Sequence, residues 1–289
     1  MDLPVYGVLY AGLGLGAAAL CPVYCKRSVH RVAPAVSALL FHFTLLLFLG
    51  AAALTNGEDL SALSSLKTSP LRAVAPGACY AFGTLFLFRA MLMGSLMRSL
   101  AVLRFTALIP AIRQLVLGER QIGLFPAVFL LLILLGFAFM LADAEERTPA
   151  YWVLILLSAG LLYAGDALSV RPDSPVGPYT GRLASCAISC ALLLLLALVG
   201  GSIGGLRRTN PVTLIYAPAA AACFGAFVIC TLSSAGEGFT RLQECLLAGW
   251  LPLSSLSTLL FTRDRASALY PVGLILFTAG LYGLYYWRI

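Results

Sequence analysis

The chain is predicted to be an all-α, polytopic membrane protein of ten transmembrane helices, arranged as two inverted five-helix repeats. Three observations carry that reading. The apolar share is too large for a soluble domain, ten apolar runs approach membrane-spanning length, and features recur at half the chain length.

Of the 289 residues, 61% are hydrophobic and only 11% are charged. A soluble domain is about a quarter charged and under half apolar, so the excess here must face lipid. The membrane bilayer is thus the first partner the composition demands. The formal charge of +7 is scattered, with no basic run and no aromatic-basic interleaving, which argues against nucleic acid as a partner. Cys21/Cys25 and Cys186/Cys190 are each four apart inside apolar runs, there is no C-x-x-C, and His30 and His42 are the only histidines. The thiols therefore read as small buried hydrophobes, and neither metal nor another cofactor is expected.

A bilayer core needs about 20 apolar residues per helix. The candidate spans are 4–24, 33–55, 71–94, 99–117, 122–142, 150–170, 182–200, 212–233, 239–261 and 268–287. The first follows Asp2 rather than a basic region, and Leu20 directly precedes Cys21, so it reads as a retained span rather than a cleaved leader. Its "AGLGLGAAA" (11–19), with Gly12 and Gly16 four apart, reads as helix-packing surface. The second holds His42, read as a hydrogen-bonded packing residue. The third, fourth and ninth carry charge, and the sixth carries Asp166. "TNGEDLSALSSLKTSP" (55–70) and "RPDSPVGPYTG" (171–181) are the longest connections, rich in Ser, Pro, Gly and acids as interfacial loops are. No room is left for a soluble domain.

Shifting the chain by about 145 residues aligns "YGVL" from Tyr6 with "YWVL" from Tyr151 and Pro126 with Pro271. It also brings Gly136 near Gly280, and "LGER" (117–120) over "TRDR" (262–265). The halves are 1–148 and 149–289. Five helices is an odd number, so the second copy enters from the opposite side, the plan of many secondary carriers whose site lies near midplane between the halves.

The residues "YAFGTLFLFRAMLMGSLMRSLAVLRFTALIPAIRQLVLGERQIG" resemble the third and fourth helices of the drug/metabolite transporter superfamily in its ten-helix, EamA-like form, closed by a Leu-Gly-Glu-Arg element at 117–120. "FGAFVICTLSSAGEGFTRLQECLLAGWLPLSSLSTLLFTRDR" repeats the shape. Pro252 stands where the family often has a proline, whereas Pro110 lies one turn late, with Thr106 in the expected place. The resemblance covers the whole chain in helix count and order, and its motifs are degenerate. It implies a secondary transporter working by alternating access, not an enzyme, in a plasma or inner membrane or an organelle membrane. It also implies that both termini are cytoplasmic, on which the Lys and Arg count, seven on that side against nine, is too even to decide. The glutamate that short four-helix relatives carry in their first helix is absent here, so their proton-driven export of cationic drugs is not carried over.

Ionisable groups within spans usually face a bundle interior or an aqueous cavity. At about 100° per residue, Arg98, Ser99, Thr106, Pro110, Arg113, Gln114 and Arg120 share one side of the fourth helix. Arg104 stands roughly 160° from Thr106 on such a helix. On the ninth span Glu237, Glu244, Ser255, Thr258 and Thr262 share a face. If both stripes line a cavity, a ligand meets cationic donors from one half and carboxylates and hydroxyls from the other. That suits a small polar metabolite, amino-acid-like or otherwise anionic, because Arg grips carboxylate or phosphate bidentately.

The candidate substrate-binding residues are Arg113, Thr106, Arg104, Tyr80, Thr84, Trp250, Glu244, Ser255 and Thr258, with Asp166 as a proton or counter-ion site. A proton or counter-substrate is the coupling partner this admits. Plainer roles stand beside these. Arg98 and Arg120 can snorkel from helix ends, Arg89 likewise, Asp166 can pair with Arg171, Glu244 can neutralise an arginine, and the aromatic residues can simply pack. A nucleotide-sugar or phosphorylated-sugar exchanger is the nearest alternative function. A non-transporting membrane partner protein and an intramembrane lipid enzyme are the alternatives of another class, the last lacking clustered acids or a nucleophile with His and Asp.

Overall fold

The structure, a computed structural model, describes residues 5–61, 71–109, 123–142, 148–169, 177–235, 240–262 and 267–286. Most of these residues are helical, and there is no strand among them. The α-helices of ten residues or more are α1 (Val5–Val29), α2 (Pro34–Thr55), α3 (Leu71–Met93), α4 (Leu96–Phe105), α5 (Leu124–Leu141), α6 (Pro149–Ser169), α7 (Pro178–Val199), α8 (Tyr216–Ala235), α9 (Thr240–Phe261) and α10 (Tyr270–Tyr286), with short helical turns at Thr106–Leu108, Ser202–Arg208 and Pro211–Leu214. Among the described residues, five stretches are long and apolar enough to cross a membrane: Pro34–Thr55, Ala73–Met93, Pro149–Ser169, Pro178–Val199 and Pro211–Thr231. Leu47, Leu131, Leu156, Leu195, Leu260 and Ile275 are exposed on the outer faces, the surface expected of a helical membrane protein.

Helix ends depart from the apolar runs where polar groups satisfy the backbone. α1 continues to Val29, past the predicted 24, and its last turn carries Lys26 and Arg27. Lys26 Nζ donates to the Gly94 carbonyl at 2.6 Å, just past the end of α3. Arg27 Nη2 donates to the Phe261 carbonyl at 3.1 Å, the last residue of α9. Cations therefore meet the carbonyl ends of two neighbouring helices. α7 begins at Pro178 rather than at 182, with proline in the first turn where its missing N–H costs nothing. The Glu58 carboxylate accepts the next two N–H groups, of Tyr179 at 3.2 Å and Thr180 at 2.7 Å. The turn presenting Glu58 is itself tied by Asp59, which accepts from the Ser61 N–H at 2.8 Å and hydroxyl at 2.6 Å. Those two bonds hold the Asp59 carboxyl below the usual range.

α1 packs on α8 and α9, α3 on α6 and α7, α2 on α7 and α8, α5 on α10, and α4 on α6 and α9. The tightest approach joins α5 and α10. A Cβ on Gly136 would lie 2.5 Å from the Phe277 nitrogen, and one on Gly273 would lie 2.5 Å from the Gly136 carbonyl oxygen. On α1 the packing glycine is Gly14, where a Cβ would stand 2.8 Å from that of Cys230. Gly12 and Gly16 are exposed and a Cβ there would meet nothing within 4 Å, which corrects the expectation that they form the packing surface. The reason is rotational: in a 3.6-residue period, positions two apart face nearly opposite ways, and α8 lies on the Gly14 side. The core runs through the centre, where Phe41, Leu45, Phe88, Met91, Leu100, Leu251 and Phe277 are buried in one cluster.

Candidate functional site

A cavity of about 280 Å³ opens within the bundle. Its lining comes from α1, α2, α3, α4, α6, α7, α8 and α9. The apolar part of the wall is aromatic: Phe41 meets Phe88 edge-on at 6.0 Å between ring centroids and Phe224 at 5.9 Å.

Three polar stations interrupt this wall. At the first, the Arg104 guanidinium carbon lies 6.0 Å from the centroid of the Trp250 ring, a cation–π arrangement. Trp250 is held by its indole N–H, which donates to the Ala18 carbonyl at 3.1 Å. Thr106 lines the cavity nearby in sequence, its hydroxyl donating to the Leu103 carbonyl at 2.6 Å. At the second, His42 Nε2 and Thr84 Oγ1 are 3.0 Å apart, and Cys186 Sγ donates to the His42 carbonyl at 3.1 Å. At the third, the Tyr80 hydroxyl donates to Asp166 Oδ1 at 2.7 Å and lies 3.1 Å from Ser169 Oγ. Arg182 Nη2 approaches the same carboxylate oxygen at 3.9 Å. Gly165 makes this junction possible, because a Cβ there would sit 2.9 Å from the Tyr80 ring.

Of the residues singled out from sequence, Tyr80, Thr84, Arg104, Thr106, Trp250 and Asp166 line this one cavity. Arg104 and Thr106 do so together, although a regular helix would set them on opposite sides. The α-helix ends at Phe105 and the chain enters a 3₁₀ turn at Thr106–Leu108, which changes the rotation per residue. Ser255 and Thr258 are fully buried and stand outside the lining. Ser255 Oγ is 2.9 Å from the Tyr270 hydroxyl, and Thr258 donates to the Ser254 carbonyl at 2.8 Å. Ser99 is likewise buried, its hydroxyl 3.1 Å from that of Tyr151. Glu244 belongs to α9, but its side chain lies outside the described residues, as do Pro110, Arg113, Gln114, Arg120, Arg171 and Glu237. Arg182 also lines the cavity, but beside a loop a basic residue reads from sequence as interfacial. Among the described residues no three His, Cys, Asp or Glu side chains gather as a metal site.

No family profile matches the chain, and no curated relative does. A protein of known crystal structure is similar over 96% of this chain and 97% of its own, at 16% identity and a TM-score of 0.58. That likeness concerns the fold alone.

Proposed function

We propose that the protein is a secondary transporter of the ten-helix drug/metabolite type, moving a small polar organic metabolite, amino-acid-like or anionic, by alternating access. The observation that carries this reading is the cavity of about 280 Å³, whose walls are drawn from four helices before residue 148 and four after it. A volume of that size is at the small end of ligand pockets, and a mostly apolar wall with a few convergent polar groups is the usual make-up of such a site.

Two inverted five-helix halves, 1–148 and 149–289, are part of the reading, and the helix pairing supports it. Raising each helix number by five turns the α1–α8 contact into α6–α3, α2–α8 into α7–α3, and α1–α9 into α6–α4. The α2–α7, α5–α10 and α4–α9 contacts map onto themselves. The reading takes the shorter apolar helices Phe125–Leu141, Gly249–Phe261 and Tyr270–Leu284 as spans beside the five longer ones. The halves rock about the cavity and expose it to each side in turn. Arg104, with Trp250 against it, and the Thr106, Thr84 and Tyr80 hydroxyls offer polar contacts to the ligand along the wall.

The test is thermal stabilisation of the purified protein by a panel of amino acids, nucleotide sugars and lipophilic cations, followed by uptake into liposomes of whatever binds. A ligand specific to the folded state raises its stability as concentration passes the dissociation constant. Stabilisation by a carboxylate- or phosphate-bearing metabolite is expected. Stabilisation by lipophilic cations alone overturns the anionic-metabolite reading.

A further inference from the structure

Arg182 lines the cavity from one turn inside α7, yet nothing above gives it a part in binding. Its side chain is 23% exposed, whereas that of Asp166 is 60% exposed. The two are loosely paired. Their separation of 3.9 Å exceeds the roughly 2.7–2.9 Å of a charge-assisted hydrogen bond. Asp166 Oδ1 is turned instead to the Tyr80 hydroxyl at 2.7 Å. Among the described residues, Tyr80 and Arg182, on the helices packed against α6, and Ser169 beside it are the polar groups around that carboxylate.

A guanidinium offers five N–H donors in a planar fork. One long approach to a carboxylate uses little of that capacity, and the neighbouring wall is largely Leu and Phe.

We propose that Arg182 is an anion-binding residue of this cavity and that Asp166 is its stand-in, taking the place at the guanidinium that the carboxylate or phosphate of a bound organic anion occupies. This rests on the cavity being the substrate site. When the anion arrives, Arg182 leaves Asp166 for it, and Asp166 stays with Tyr80.

The two partners then have opposite effects on binding, which a purely structural ion pair would not produce. The probes are phenylacetate and phenyl phosphate, which offer a carboxylate or a phosphate on a body suited to the Phe41, Phe88 and Phe224 wall, with phenethylamine as the cationic control. Dissociation constants are read from the concentration dependence of melting, each variant against its own ligand-free midpoint. Arg182→Gln weakens anion binding by roughly tenfold or more, the effect of one charge-assisted hydrogen bond. Asp166→Asn tightens it by about two- to fivefold, the range of a part-exposed ion pair. Arg182→Lys falls between wild type and Arg182→Gln for both anions, since it keeps the charge and loses the fork. If Asp166→Asn weakens the anions as Arg182→Gln does, if Arg182→Gln changes nothing, or if neither anion binds, the inference is wrong. A ligand from the wider panel that binds without regard to either residue sinks this inference and leaves the transport reading standing. No binding by any member of the panel sinks the transport reading itself.

Discussion

The Glu58 carboxylate reaches from the turn after α2 to Thr180 in the first turn of α7, accepting its N–H and its hydroxyl at 2.7 Å each. A side chain 122 residues away in sequence thus does the work of an N-cap, and ties the turn after α2 to the start of α7. Glu58→Ala is expected to cost about 1–2 kcal/mol, the scale of a lost cap, and Glu58→Gln less because one acceptor remains. Thermal unfolding in detergent measures it. Equal melting of Glu58→Ala and wild type would remove the capping role, and a Thr180→Val partner in a double-mutant cycle isolates the hydroxyl.

The α5–α10 crossing makes a second prediction by contrast. Gly136→Ala puts a methyl 2.5 Å from the Phe277 backbone nitrogen, whereas Gly12→Ala puts one into open space. The first is expected to destabilise by about 1–3 kcal/mol through overpacking. The second is expected to be neutral or to gain up to about 1 kcal/mol from helix propensity. Similar melting of the two variants would show that the helices separate freely.

At the Arg104–Trp250 station, Trp250→Leu removes the ring 6.0 Å from the guanidinium while leaving an apolar wall. For whichever ligand stabilises the protein, the dissociation constant is expected to rise by a factor matching about 0.5–2 kcal/mol, the range of cation–π contacts. Ser255→Ala provides the opposite pattern. Its hydroxyl contacts Tyr270 outside the cavity, so stability falls by about 1 kcal/mol while the dissociation constant stays put. A Ser255 effect on affinity as large as that of Trp250 would contradict this division.

Lys26 tests the clasp at the end of α1. Its ammonium donates to the Gly94 carbonyl at 2.6 Å. Lys26→Met keeps the aliphatic stem and is expected to cost about 1–2 kcal/mol, with faster amide exchange in the last turn of α3. Unchanged exchange there would mean that α3 holds its own end.

What could be read along the chain, and what could not, divides by the reach of each signal. Ser255 and Thr258 share a helical face with Glu244, and that periodicity is local, so it reads from sequence. Whether the face meets a cavity or a neighbouring helix is not local, and Tyr270 on α10 covers Ser255. α7 begins at Pro178 rather than 182 for the same kind of reason, since hydropathy records apolar side chains and is blind to a distant carboxylate accepting backbone N–H groups.

The lengths of the apolar runs by themselves determined most of the helices, five of which, among the described residues, are long and apolar enough to cross a membrane. Those quantities are sums over neighbouring residues, and no partner can change them. The tertiary structure alone decided which side of each helix turned inward: Gly14 rather than Gly12 or Gly16, Arg104 together with Thr106, and Arg182 beside Asp166. Rotation about a helix axis is set by the element packed against it and by any break in the helix, as after Phe105, and a one-dimensional pattern contains neither.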